Sequence, residues 1–294
     1  MKYINGNSEE EIQKLTDESV DIICIDPPYL YLKNQKLERE FDERLFFKQC
    51  KRVLTKDGFI IMFGRGVSFY RWNCILDDLG FIFKEEIIWN KSYGSSPLMA
   101  ITRVHETISI FGKEKAKIKK VKIPYIEMKS EDVSSIKVDI DRIKSVFSNS
   151  SHFDALKKYL DSGELSFDGN YLSSTTITNG RKRVNRCIST AQTISEGMNE
   201  KTIIKLKREH YDSIHPTQKP VRLLERLLQL CLPDKPKEEI VVADFFAGSF
   251  SCGEACYNLG LDFIGIEIDK EYFDLGAKRM EKITKNVKQM SIEL

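Results

Sequence analysis

Two stretches of strand–helix–strand rhythm, one at each end of the chain, flank residues 114–212, which have none, and this break limits the fold more than any other feature. DIICI (21–25) is a short apolar run of the kind found in buried parallel strands, and LEREFDERLFFKQCKRVL (37–54) places Phe41, Leu45, Phe46, Gln49 and Val53 near a helical period. GFIIMF (58–63) follows through the turn KDG, VSFYRWNCILDDLG (67–80) reads as a helix ended by glycine, and FKEEIIWN (83–90) and ETISIFGK (106–113) read as two further strands. Order resumes at HPTQKPVRLLERLLQLC (215–231). There Thr217 suits a cap, Pro220 a first helical turn, and Val221, Leu224, Leu227, Leu228 and Cys231 share a face. EEIVVADFFAGSF (238–250), SCGEACYNLG (251–260) and LDFIGIEID (261–269) then give strand, glycine turn, helix, strand and acid. The expectation is an α/β fold whose mostly parallel sheet, with helices on both faces, is assembled from the two ends of the chain.

Charge follows the same division. Between Lys113 and His210 there are 20 Lys and Arg against 13 Asp and Glu, which leaves 26 against 31 elsewhere. KEKAKIKKVK (113–122), RKRVNR (181–186) and KTIIKLKR (201–208) all fall in this segment, with DALKKYL (154–160) as a short helix among them. One basic run is an ordinary solvated face; three, set against an acidic remainder, favour a polyanionic partner. MKYINGNSEEEIQ lacks the basic start and apolar run of a secretory signal, and no stretch is apolar for the length of a membrane span, so the expected setting is soluble and cytoplasmic. Seven scattered cysteines without a C-x-x-C pair read as reduced core thiols, and four histidines without ligand spacing support no metal site.

The chemistry concentrates where strands end. In an open α/β sheet, ligands bind beyond the carboxyl ends of the strands, with glycine admitting the backbone and an acid on the next strand holding ribose hydroxyls. Asp244 and Gly248 in the first turn and Glu267 on the following strand supply that pattern without G-x-G-x-x-G. An acid is misplaced against a pyrophosphate but suits a cationic cofactor, and S-adenosylmethionine carries an amine and a sulfonium with no phosphate. A tight structural turn explains the same residues. Asp26-Pro27-Pro28-Tyr29 ends the other strand: the prolines lack N–H groups and stiffen an extended segment, leaving carboxylate, carbonyls and an aromatic face for an exocyclic amine on a flat heterocycle. A strand-to-loop turn with a capping acid is the plainer reading of those four residues.

Taken together, DPPY (26–29), IIWNK (87–91) with HETISIFGK (105–113), HPTQKP (215–220) and DFFAGSF (244–250) resemble the site-specific DNA amino-methyltransferases, in the β-class motif order. The resemblance covers residues 1–113 and 213–285. It implies a Rossmann-like S-adenosylmethionine-dependent methyltransferase fold with a catalytic half at 1–113, a target-recognition insert at 114–212 and a cofactor half at 213–294. It implies that Asp26 and the Pro27 carbonyl accept from the target amine, with Pro28 shaping the clamp and Tyr29 stacking on a flipped base. Asp244, Phe246, Ala247 and Gly248 would line the methionine end of the cofactor, Glu267 its ribose, and Thr217 and Lys219 its carboxylate. Asp26, where cytosine-N4 members more often carry serine, leans towards adenine N6.

The partner so implied is double-stranded DNA, with Lys91, Arg181, Lys182, Arg183 and Arg186 as contacts, and a homodimer as an assembly common among such enzymes. Three departures stand out. The family's D-P-F-x-G-S-G has Phe245 in place of proline and Phe250 in place of the last glycine, and its N-terminal G-D is Gly6-Asn7. A crowding Phe250 would lower cofactor affinity. The alternatives are therefore a cytosine-N4 methyltransferase and a catalytically weak DNA-binding protein on the same scaffold.

Overall fold

The structure, a computed structural model, describes residues 1–29, 39–93, 100–130, 132–148, 150–163, 186–207, 214–215 and 218–290. The chain runs through β1 (Lys2–Asn5), α1 (Ser8–Glu11), β2 (Val20–Ile25), α2 (Glu43–Val53), β3 (Leu54–Gly64), α3 (Gly66–Asp78), β4 (Ile82–Asn90) and β5 (His105–Gly112). It continues through β6 (Lys122–Ile123), α4 (Tyr125–Lys129), α5 (Val133–Val146), α6 (Ser150–Ser162), α7 (Arg186–Glu196) and β7 (Met198–Asn199). The last elements are β8 (Ile203–Lys205), α8 (Val221–Leu230), β9 (Val241–Asp244), α9 (Ser251–Leu259), β10 (Asp262–Glu267) and α10 (Lys270–Met290). They divide into two compact units, Met1–Lys119 with Lys201–Leu294, and Lys120–Glu200. Among the described residues no helix is long and apolar enough to cross a membrane.

The larger unit holds an eight-stranded sheet among its described residues, ordered β1-β10-β9-β2-β3-β5-β4-β8. Every pairing is parallel except those of β5, which runs against both β3 and β4. All six residues of β2 are buried, because a parallel strand covered on both faces needs no polar alternation. Its neighbours come from opposite ends of the chain: Ile23 faces Ile60 on β3 and Ala243 on β9. β9 in turn sets Asp244 against Gly265 of β10. This register brings the chain after Ile25, the turn after Asp244 and Glu267 to one edge of the sheet.

The helices follow from the same burial. α2 is capped by Asp42, whose side chain accepts from the Leu45 N–H at 2.9 Å, and it buries Phe46, Phe47, Cys50 and Val53. That face is rotated from the expected one: Leu45 is 44% exposed, since seating the Phe47 ring removes more apolar surface. α8 starts after Pro220 and buries Leu223, Leu224, Leu227, Leu228 and then Cys231. Trp72 and Trp89 are core residues. β1, four residues long, is too short to show a pattern, and β8 arises from residues 201–207, which by basic composition group with the insert.

The smaller unit pairs β6 with β7 and packs α5 on α6 and α7. Asp139, buried, accepts from Tyr125 at 2.8 Å and pairs with Lys129 at 3.1 Å and Arg142 at 2.9 Å. α6 contains the expected 154–160 helix. α5 has no clean apolar stripe, because Val138 and Ile140 are about half exposed and its β-branched residues are weak helix formers. Packing rather than propensity makes it a helix.

Candidate active site

A cavity of about 380 Å³ opens at the sheet edge where β2, β9 and β10 end. Asp26, Pro27, Pro28 and Tyr29 line it, as do Lys219, Asp244, Phe246, Ala247, Gly248 and Glu267. Thus the two motifs read as clamp and cofactor turn border one space. Thr217 lies outside the described residues.

Asp26 is not a free carboxylate. Its Oδ1 accepts from the Tyr29 hydroxyl at 2.6 Å and its Oδ2 from Lys219 Nζ. Lys219, whose side chain is 9% exposed, also lies 3.2 Å from Glu106 Oε2 and 5.0 Å from the centre of the Phe63 ring. Glu106 Oε1 in turn accepts from Lys91 at 3.0 Å. Two acids and two lysines alternate as a neutral chain, which is how buried charge is tolerated. Burial raises the Asp26 carboxyl above its ordinary value, Lys219 opposes that rise, and Glu106 adds to it. Burial acts the same way on Glu106, but Lys219 and Lys91 outweigh it and hold that carboxyl down at about 2. Lys219 resists desolvation through Asp26 and Glu106 and stays above its ordinary value.

Glu106 carries no signal of its role in the amino-acid sequence. It reaches the site because β5 is antiparallel: the first residues of that strand, with Glu106 opposite Trp89, stand at the edge where its neighbours end. Strand direction is not legible in HETISIFGK. Ser68 is equally silent in sequence; from the first turn of α3 its hydroxyl donates to the Tyr29 carbonyl at 2.7 Å and tethers the DPPY segment.

The opposite wall carries the other acids. Asp244 accepts from the Phe246 N–H at 3.0 Å, but burial, reinforced by Asp26 and Glu267, lifts it to about 8. Glu267 accepts from the Gly248 N–H at 2.8 Å and the Asp269 N–H at 2.8 Å, and burial still raises it. Gly248 has φ +48°, and a Cβ there would stand 3.4 Å from the His215 ring, itself edge-on to Tyr272 at 4.3 Å. The donor set fits S-adenosylmethionine. Asp244 is a buried acid that gains from a cation, and Glu267 is pinned by two amides with lone pairs left for hydroxyls.

The three departures from the family pattern have structural answers. Phe250 does not crowd the cavity: it adopts φ 57°, caps α9, and is fully buried pointing elsewhere. Its ring packs on Tyr3 at 5.1 Å and Phe273 at 5.9 Å. Gly265 and Gly276 make room for it, since a Cβ on either would fall within 2.5 Å of the ring. Asn7 lines the cavity and caps α1, accepting from the Glu9 N–H at 2.9 Å. Phe245 meets Phe46 edge-on at 5.7 Å and, through its carbonyl, the Ser8 hydroxyl.

The expected DNA contacts fare differently. Lys91 has a side chain only 12% exposed and spends its charge on Glu106 and the Trp89 ring, 5.6 Å away. Its position makes it the outer member of the charge chain that runs through Glu106 and Lys219 to Asp26. Arg181, Lys182 and Arg183 lie outside the described residues, and Arg186 opens α7.

Comparison with known proteins points the same way. A DNA methylase family profile matches residues 20–278. The chain is 26% identical over 319 aligned residues to the type II methyltransferase M.HinfI of Haemophilus influenzae, covering 99% of this chain and 72% of that one. It is 27% identical over 288 residues to the DNA adenine methyltransferase YhdJ of Escherichia coli strain K12, covering 95% and 82%. Its fold is similar to that of the M1.HpyAVI–SAM complex, with a TM-score of 0.52, 20% identity, and 95% and 98% of the two chains covered. It is also similar to the PvuII DNA methyltransferase (cytosine-N4-specific), with a TM-score of 0.55, 14% identity, and 96% and 89% covered. The profile takes in the strand ends on both sides of the cavity, and on that ground this chain belongs to the DNA methylase family.

Proposed function

We propose that this DNA methylase transfers a methyl group to N6 of an adenine drawn out of a DNA duplex. The observation that carries the reading is that Asp26-Pro27-Pro28-Tyr29 shares one cavity with Asp244 and Glu267. When bound, S-adenosylmethionine supplies an electrophilic methyl carbon, and the electron pair of the breaking C–S bond remains on sulfur. Asp244 would hold its positive groups and Glu267 its ribose hydroxyls. An aromatic amine is a poor nucleophile because its lone pair is shared with the ring. Asp26 and the Pro27 carbonyl, each accepting one N–H, localise that pair as the N–C bond forms, and Asp26 is placed to take the proton released afterwards. Tyr29, tethered by Ser68, offers its ring face to the base.

A base inside a duplex is out of reach, so flipping costs a few kcal/mol and the duplex must be held meanwhile. Residues 114–212, with Arg181, Lys182, Arg183 and Arg186, are assigned to that holding, residues 1–113 to the clamp and 213–294 to the cofactor. Nucleoside mass analysis and methylation-sensitive sequencing of DNA from cells expressing the wild type and Asp26→Ala test the reading. N6-methyladenine in the first and none in the second is expected. N4-methylcytosine would transfer the assignment to cytosine, and unmodified DNA from the wild type would overturn it.

A further inference from the structure

The Lys219 ammonium sits between two carboxylates, hydrogen-bonded to Asp26 Oδ2 and 3.2 Å from Glu106 Oε2. Glu106 Oε2 is buried and, apart from the Lys219 ammonium at 3.2 Å, meets no donor in hydrogen-bond geometry among the described residues, while Oε1 is pinned by Lys91. A buried acceptor held by a charge contact without a well-formed hydrogen bond is costly, and such groups in native structures need a reason. The target amine supplies one. On the reading above, that amine needs Asp26 as an acceptor, yet Tyr29 and Lys219 already engage the two oxygens. A charge-assisted bond from an ammonium also draws off the electron density that would localise the amine's lone pair.

We infer that Glu106 is a positioning residue that takes over the Lys219 ammonium when the target amine arrives at Asp26. Lys219 carries three donors on a flexible stem and stands between the two acceptors, so a turn of its end group exchanges one bond for the other. Lys91 holds Glu106 still through Oε1, leaving Oε2 aimed at Nζ. The hand-over keeps the ammonium paired throughout and frees Asp26 Oδ2 only when a base is present. This rests on the proposed methyl transfer but assigns it a residue outside the clamp and the cofactor turn.

The test compares the wild type with Glu106→Gln and with Glu106→Gln/Lys219→Met on a methylatable duplex. In Glu106→Gln, kcat is expected to fall roughly 10- to 100-fold, the scale of a misplaced positioning group, with S-adenosylmethionine affinity by calorimetry unchanged. The acidic limb of kcat moves to lower pH, because Asp26 then faces Lys219 without the opposing charge of Glu106, its other neighbours Tyr29, Asp244 and Cys24 being unchanged. Removing Lys219 in that background should restore kcat in part, since no ammonium then competes for Asp26. A silent Glu106→Gln, or a Lys219→Met loss that adds to it together with lost cofactor affinity, overturns the hand-over and assigns Lys219 to the cofactor. No transfer by the wild type would instead overturn the methyltransferase reading. Should Glu106→Gln fail to fold, a crystal structure of the wild type with cofactor and duplex decides: Nζ bonded to Glu106 Oε2 supports the hand-over, and Nζ still on Asp26 beside the amine refutes it.

Discussion

Phe250 offers the sharpest test of how this fold accommodates a departure from its family pattern. The residue is fully buried yet left-handed at φ 57° and ψ 30°. Truncating a buried Phe to Ala costs about 3–5 kcal/mol, and the left-handed backbone costs a non-glycine residue about 1–2 kcal/mol, which Phe250→Ala retains. Phe250→Gly loses the same ring but relieves the backbone. Glycine's greater unfolded-state freedom takes back about 0.5–1 kcal/mol, so the glycine variant should be the more stable of the two by about 0.5–1 kcal/mol. The usual order in an ordinary backbone is the reverse. Urea unfolding followed by tryptophan fluorescence is the assay, because both tryptophans, Trp72 and Trp89, are buried in the larger unit. Since Phe250 does not line the cavity, calorimetry should find S-adenosylmethionine affinity held in whatever fraction remains folded. An alanine variant more stable than the glycine one would refute the strain argument, and a folded Phe250→Ala with sharply weakened cofactor binding would refute the packing argument.

Two further expectations follow from charge. Asp244 stands at about 8 when folded against about 3.9 unfolded, so its contribution to stability is complete below the unfolded value and drains away as pH rises towards 8. A cationic cofactor should bind more tightly over the same interval as Asp244 gives up its proton; thermal melts and calorimetry from pH 5 to 9 check both, and Asp244→Asn should flatten both profiles. Neutralising Arg181, Arg183 and Arg186 together should weaken duplex binding and reduce the slope of log affinity against log salt by about 0.9 for each phosphate no longer neutralised; an unchanged slope would remove the cluster from the DNA interface.

How much of this was legible in the sequence depends on how locally each feature is specified. Asp26, Asp244 and Glu267 could be found because each closes an apolar run, and a strand's end is where an α/β sheet places its ligands. Glu106 could not, because its role depends on β5 running backwards, and the same eight residues would read alike in either direction. Lys91 shows the same dependence on pairing. The sequence places a lysine between a strand and a loop, and only the fold shows it bonded to Glu106. α5 is hidden in the sequence because its apolar residues face both the unit's interior and solvent.

The linear order of residues therefore determined the composition of the sheet, the acids at its edge and the basic interruption, since these rest on periodicities of a few residues and on backbone chemistry. Pairing decided the rest. Setting Ile23 beside Ala243 joined the two halves of the cavity, and two distant glycines gave the Phe250 ring its space. Burial then raised the Asp26 carboxyl, with Lys219 opposing the rise and Glu106 adding to it. Each is a meeting of residues far apart in the chain, and electrostatic and packing energies depend on separation in space rather than on separation along the backbone.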